Sequence, residues 1–123
     1  MRVIDTSIWI EIYRATELGR QHLALLSVPG DIIVPTIVQY EIFKWLARER
    51  TSEEANRATT FTCDCNVQEL TTAIAVLAAE LSATHGLHTT DAVIYATAQL
   101  LDAKLLTCDA HFKGLPGVAY FER

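Results

Sequence analysis

Short, mostly apolar runs alternate along this chain with longer stretches of helical periodicity, and that alternation limits the fold more than any other feature. The runs are Val3–Asp5, Ile32–Val34, Ala103–Thr107 and Val118–Phe121, and the more polar Asn66–Leu70 reads as a further short strand. Strands without a polar alternation must be covered on both faces, which describes a mostly parallel central sheet between helical layers. The intervening segments read as helices. Ser7–Tyr13 offers Ile8, Trp9 and Ile12 as its buried side, and Glu17–Leu26 is stopped by Pro29-Gly30. Pro35, at a first helical position, opens a helix reaching to about Arg50. Thr51 or Ser52 caps a helix to Phe61, Thr71 or Thr72 starts one ended by Gly86, and Thr89 or Thr90 caps one to Leu101.

No repeat, low-complexity tract or linker divides the 123 residues, so a single domain over 1–123 is expected. The longest apolar run, Ala73–Ala79, is far shorter than a membrane span, and Asp5 and Glu11 interrupt any leader-like segment at the start. Three cysteines, two of them in Cys63-Asp64-Cys65, argue against a disulfide framework and for a reducing cytoplasm. The net charge of −5 speaks against a nucleic-acid partner unless some acids belong to one metal site. With four acids set aside, 10 basic residues face 11 acidic ones, a balance of −1, and the objection weakens.

In a parallel sheet, ligands gather beyond the carboxyl ends of the strands. Asp5 follows the first strand, and Asp109 follows the strand ending in Thr107. Asp91 falls in the first turn of the helix that Thr89 or Thr90 opens. Glu41 sits one helical turn from both Ile37 and Trp45, an odd place for a charge without a task. Singly, Asp5 and Asp109 suit helix caps, Asp91 suits a helix dipole, and Glu41 suits a snorkelling flank position. Jointly, they would repel one another. Two carboxylates about 4 Å apart cost on the order of 4 kcal/mol at an effective dielectric near 20. A hard cation such as Mg²⁺ or Mn²⁺ relieves that repulsion and suits phosphodiester chemistry, with no serine, cysteine or histidine nucleophile required.

The ordered set of Asp5-Thr6-Ser7, Glu41, Thr90-Asp91-Ala92 and Leu105-Leu106-Thr107-Cys108-Asp109-Ala110-His111-Phe112 strongly resembles a PIN-domain ribonuclease. It is most similar to the VapC-type toxins of prokaryotic toxin–antitoxin pairs, over essentially the whole chain. The resemblance implies a three-layer α/β/α fold with a sheet of four to five short strands, and Mg²⁺- or Mn²⁺-dependent endonucleolytic cleavage of RNA. It implies Asp5, Asp91 and Asp109 as metal ligands, Glu41 as ligand or orienter of the attacking water, and Ser7 and Thr107 as supporting hydroxyls. It also implies an antitoxin partner with a DNA-binding domain and a homodimer, for which exposed apolar side chains on the Glu17–Leu26 and Thr51–Phe61 helices would serve as contacts. Two positions depart from the family pattern: Cys108 replaces a larger polar or basic residue, altering substrate contacts, and Tyr40 replaces a smaller one.

Lys44 and Arg48 lie downstream of Glu41 and could meet RNA phosphates, although cations also suit a helix's last turns. Cys63 and Cys65 with His85 and His88 lack a standard zinc spacing, and His111 reads as a loop residue rather than a general base. Trp9 and Trp45 read as core or interface, and no glycine-rich phosphate loop is present. Two other functions fit parts of the pattern. A catalytically silent PIN module would bind RNA without cutting it. A Mg²⁺-binding phosphoacceptor receiver would need a paired acid after the first strand and a lysine where Asp109 stands.

Overall fold

The computed structural model describes residues 1–123. Five parallel strands form one sheet: β1 (Arg2–Ile4), β2 (Ile32–Pro35), β3 (Asn66–Gln68), β4 (Lys104–Thr107) and β5 (Val118–Tyr120). Their spatial order is β3-β2-β1-β4-β5, so the chain first builds outward on one side of β1 and then returns to build on the other. That reversal makes the crevice beside the end of β1 the natural ligand position. Val3 pairs with Ile33 on one side and Leu105 on the other, and Ile4 pairs with Leu106. All five of these side chains are buried, as strands covered on both faces require.

Six α-helices complete the three-layer α/β/α architecture: α1 (Thr6–Tyr13), α2 (Glu17–His22), α3 (Thr36–Glu49), α4 (Ser52–Cys63), α5 (Thr72–His85) and α6 (Thr89–Leu100). Residues Ala92 to Ala98 of α6 are buried throughout, and Thr97 tolerates that burial by donating its hydroxyl to Val93 O at 2.8 Å. Tyr95, wholly inside, donates to Pro116 O at 2.7 Å. Trp9 is fully buried, with its indole N–H donated to Ile4 O at 3.1 Å. None of the helices is long and apolar enough to cross a membrane.

Several boundaries differ from the sequence reading. Pro35 ends β2, paired with Gln68, and Thr36 is the first residue of α3; an extended ψ of 141° lets the proline continue the strand. The Glu17–Leu26 segment is α-helical only to His22 and then tightens into a 3₁₀ turn over Leu23–Ser27, which brings Leu25 and Leu26 onto the core. Pro29-Gly30 does not simply stop a helix but starts a further 3₁₀ turn. Thr51 and Thr71 do cap their helices through side-chain oxygens, and Gly86 ends α5 in the left-handed region at φ 69°. At α6, His88 occupies the cap without a side-chain bond, and Thr89 is already helical. Leu87, buried and accepting from Ser82 Oγ at 2.6 Å, fixes where the chain turns there. In α1, Ile12 is only half-buried and Glu11 is buried instead. The reason is the close approach of α2: a Cβ at Gly19 would stand 2.0 Å from Glu11 O. Gly19→Ala should therefore lower stability by about 1–3 kcal/mol, read as a reduced urea midpoint at unchanged m-value.

Candidate active site

Asp5 is both a cap and the centre of a buried knot. Its Oδ2 accepts from Ser7 N at 3.4 Å, from Ser7 Oγ at 2.6 Å and from Thr107 Oγ1 at 2.8 Å. Ser7 Oγ in turn accepts from Cys108 N at 3.1 Å, and Thr107 Oγ1 accepts from Asp109 N at 2.9 Å. The two hydroxyls thereby tie the residue after β1 to the segment after β4, where Asp5 N also donates to Leu106 O at 2.9 Å. Each of these hydrogen bonds to the carboxylate ends on Oδ2, which leaves Oδ1 for a cation.

Asp109 caps the 3₁₀ turn over Ala110–Phe112 by accepting from His111 N at 3.0 Å. Phe112, fully buried and packed on Tyr95, anchors that turn. The turn carries the His111 ring back between two acids, with Nδ1 3.2 Å from Asp91 Oδ2 and 3.3 Å from Asp109 Oδ1. One ligand atom each from Asp91, Asp109 and His111 lies within 4.8 Å of the others. Glu41 reaches the same edge from α3, where Thr6 Oγ1 donates to its Oε1 at 2.6 Å.

Asp5 and Glu41 stand outside the tight group of Asp91, Asp109 and His111 and are linked to it by charge. The Asp5 carboxyl is pushed up chiefly by burial and further by the charge of Asp91, against the opposing hydrogen bonds from Ser7 and Thr107. Glu41 is also raised, first by burial, with Thr6 opposing and with Asp5, Asp91 and Asp109 each adding repulsion. Burial and the neighbouring Asp109 raise Asp91, while the His111 hydrogen bond and charge pull it back. A site with several carboxylates, each holding an oxygen clear of protein donors, fits a hard divalent cation.

The structure thus brings Asp5, Glu41, Asp91 and Asp109 to one sheet edge, with Ser7 and Thr107 beneath Asp5. Lys44 and Arg48 line a groove of about 230 Å³ with Glu41, Thr6, Ile10, Tyr40 and Trp45. Tyr40 is exposed, and Lys44 Nζ stands 5.7 Å from its ring centre. Sequence reasoning missed two participants. Thr6 stands inside the Asp5-Thr6-Ser7 motif but was given no role of its own, and only the packing of α1 on α3 brings its hydroxyl to Glu41. His111 read as a loop residue, although its place two residues beyond a strand-end acid was the available clue. Cys108, at a position that departs from the family pattern, is buried. Cys63 is exposed, while His85 packs on Tyr95 and His88 on His111, so no cysteine–histidine zinc group forms. The apolar side chains of α4 face inward, leaving Leu23 as the exposed large apolar residue of the two segments expected to offer dimer contacts. A separate groove of about 350 Å³, lined by Tyr13, Leu26, Leu46 and Phe61 among others, contains none of the four acids.

Comparison with known proteins places this arrangement. Residues 2–118 match the PIN domain family. The chain belongs to that family. This PIN domain superimposes on a chain of a toxin–antitoxin complex from Klebsiella pneumoniae at a TM-score of 0.84, with 26% identity and 100% of both chains covered. VapC20 of Mycobacterium tuberculosis, described as a sarcin–ricin loop cleaving toxin, is similar in fold at a TM-score of 0.79, 19% identity and coverage of 96% and 97%. DNA-bound VapBC from Salmonella typhimurium shares the fold at 0.75, with 17% identity and coverage of 99% and 98%. No curated protein sequence matches the chain. The PIN fold removes the receiver alternative.

The raised carboxyls make a stability prediction for this PIN domain. In the folded chain Asp91 holds its proton above the ordinary value of 3.8, so the native state binds more protons than the unfolded one as pH rises from there. Stability is then highest when Asp91 is protonated and is lost as pH rises through the folded pKa. In chelator at pH 7, Asp91→Asn should melt higher than wild type by about 2–4 °C, and the gap should close as pH falls toward 4. Paired melting curves across that range check it.

Proposed function

We propose that this PIN domain is a divalent-cation-dependent endoribonuclease and the toxin of a toxin–antitoxin pair. The observation that carries this reading is the close group of Asp91, Asp109 and His111, with Asp5 and Glu41 near enough to feel the charge of the acids, at the crevice where the strand order reverses. Asp5, Asp91 and Asp109 would hold the cation, Mg²⁺ or Mn²⁺. When bound, such an ion shields the phosphate charge, acidifies a coordinated water and stabilises the leaving oxygen.

The chain's own residues do the rest. Ser7 and Thr107 fix the Asp5 carboxylate in a single orientation, so that it need not reorganise during the reaction. Thr6 holds one oxygen of Glu41, which turns the other toward the crevice to orient the attacking water and take its proton. Burial and the surrounding acids shift Glu41 upward, toward the range where a general base works best. Lys44 and Arg48, in the groove beside Glu41, receive the phosphates that flank the scissile bond. Arg48 also pairs with Glu49 at 3.0 Å, so Lys44 carries most of the positive charge that supports contact with RNA by an acidic chain.

Toxin–antitoxin assemblies recur among the proteins of this fold, including complexes from Rickettsia felis and nontypeable Haemophilus influenzae. The proposed partner is therefore an antitoxin with a DNA-binding domain. A basic side chain from it, placed among the acids, would silence them by occupying the cation's position. Self-association as a homodimer belongs to the same reading. The catalytically silent alternative gains no support from the site, since none of the four acids is replaced.

Purified wild type should nick structured RNA, chelator should stop it, and Mn²⁺ should restore it. Asp5→Asn, prepared side by side, should cut at least about 100-fold more slowly with its fold intact by circular dichroism. Equal cutting by wild type and Asp5→Asn would assign the activity to a contaminant. Cation binding without cutting by wild type would favour the silent module.

A further inference from the structure

The four acids leave one neighbour without a role. His111 is largely exposed, its side chain showing 60% of its surface, yet its ring is hydrogen-bonded to Asp91. Its backbone N–H is held by Asp109, buried Phe112 pins the next residue, and the ring of His88 lies edge-on at 5.8 Å. Its Nδ1 is thereby placed 3.2 Å from Asp91 Oδ2 and 3.3 Å from Asp109 Oδ1. Donor atoms that share one divalent ion at about 2.1 Å lie roughly 3–3.5 Å from each other, so both separations already have the size of a coordination edge.

A simple ion pair between an imidazolium and two acids would also place the ring here. At this exposure such a pair contributes little to stability, which gives the fold small reason to position the ring so closely. The chemistry of the donors is more telling. An all-oxygen set suits Mg²⁺, whereas an imidazole nitrogen suits the first-row transition ions. Mn²⁺ accepts both kinds of donor. We infer that His111 is an imidazole ligand of the cation shared with Asp91 and Asp109, and that it makes this site prefer Mn²⁺ to Mg²⁺.

The inference rests on the nuclease reading for the presence of a cation, but its readout is spectroscopic and does not depend on cutting. Full-length protein loaded with Mn²⁺ should show imidazole ¹⁴N coupling by pulsed electron paramagnetic resonance. The coupling should vanish in His111→Gln and persist in His88→Gln. Titration calorimetry should find Mn²⁺ bound about tenfold or more weakly by His111→Gln, with Mg²⁺ affinity changed by less than about threefold. Because the side chain is exposed, the variant should keep the wild-type circular dichroism. Bound Mn²⁺ without imidazole coupling in wild type, or coupling that survives in His111→Gln, overturns the assignment. An equal loss of affinity for both ions overturns the selectivity. A wild type that cuts RNA while showing no coupling sinks this inference and leaves the nuclease reading intact; a wild type that binds neither Mn²⁺ nor Mg²⁺ sinks both.

Discussion

The rest of the site depends on a buried carboxylate tied across two strands. Asp5 is almost wholly enclosed, and an ionised group so placed is tolerated only when its charge is answered by donors. Ser7 and Thr107 supply them from the start of α1 and the end of β4, and both hydroxyls are themselves held by the backbone of the Cys108–Asp109 segment. The same hydrogen bonds therefore satisfy the charge, start α1 and fix the path of the chain after β4. Asp109 and its 3₁₀ turn inherit their positions from that junction.

The arrangement gathers charges that oppose one another. Asp5, Glu41 and Asp91 all hold their protons more tightly than isolated carboxyls, with burial the first cause in each and mutual repulsion a further one. A fold selected for stability alone would not collect four acids at one crevice. The strain has a use if a cation is the natural occupant, since the ion removes the repulsion that disfavours the empty pocket. Beside Glu41, Lys44 and Arg48 line a groove together with the exposed ring of Tyr40.

Much of this was legible before any coordinates. The apolar runs announced a parallel sheet because strands buried on both faces lack alternation, and β1, β2, β4 and β5 fall within a residue or two of those runs, while the polar and exposed β3 forms the sheet's edge. Glu41 stood out because a charge on an apolar helical row demands a reason. The helix ends were less legible. Pro35 fits a strand end as readily as a first helical turn, and neighbouring threonines offer equal caps, so Thr89 and Thr90 gave no choice that His88 could not displace. Ile12 and Glu11 exchanged places because the tight contact at Gly19 is a property of two helices and not of either one.

Periodicity and local chemistry, acting over a few residues, are enough to decide where strands and helices lie and which acids follow the strands. Those rules are local, and the chain alone determined that much. Whether Asp5 was a cap or part of a site could not be decided locally, because both readings use the same oxygen and the same neighbouring N–H. Tertiary structure decided that it is more than a cap, by bringing Thr107 to it across 102 positions of sequence. Only the same folding could set Thr6 beneath Glu41 and turn His111 between Asp91 and Asp109. Such contacts depend on how two elements pack, and no pattern within one element encodes the distance to another.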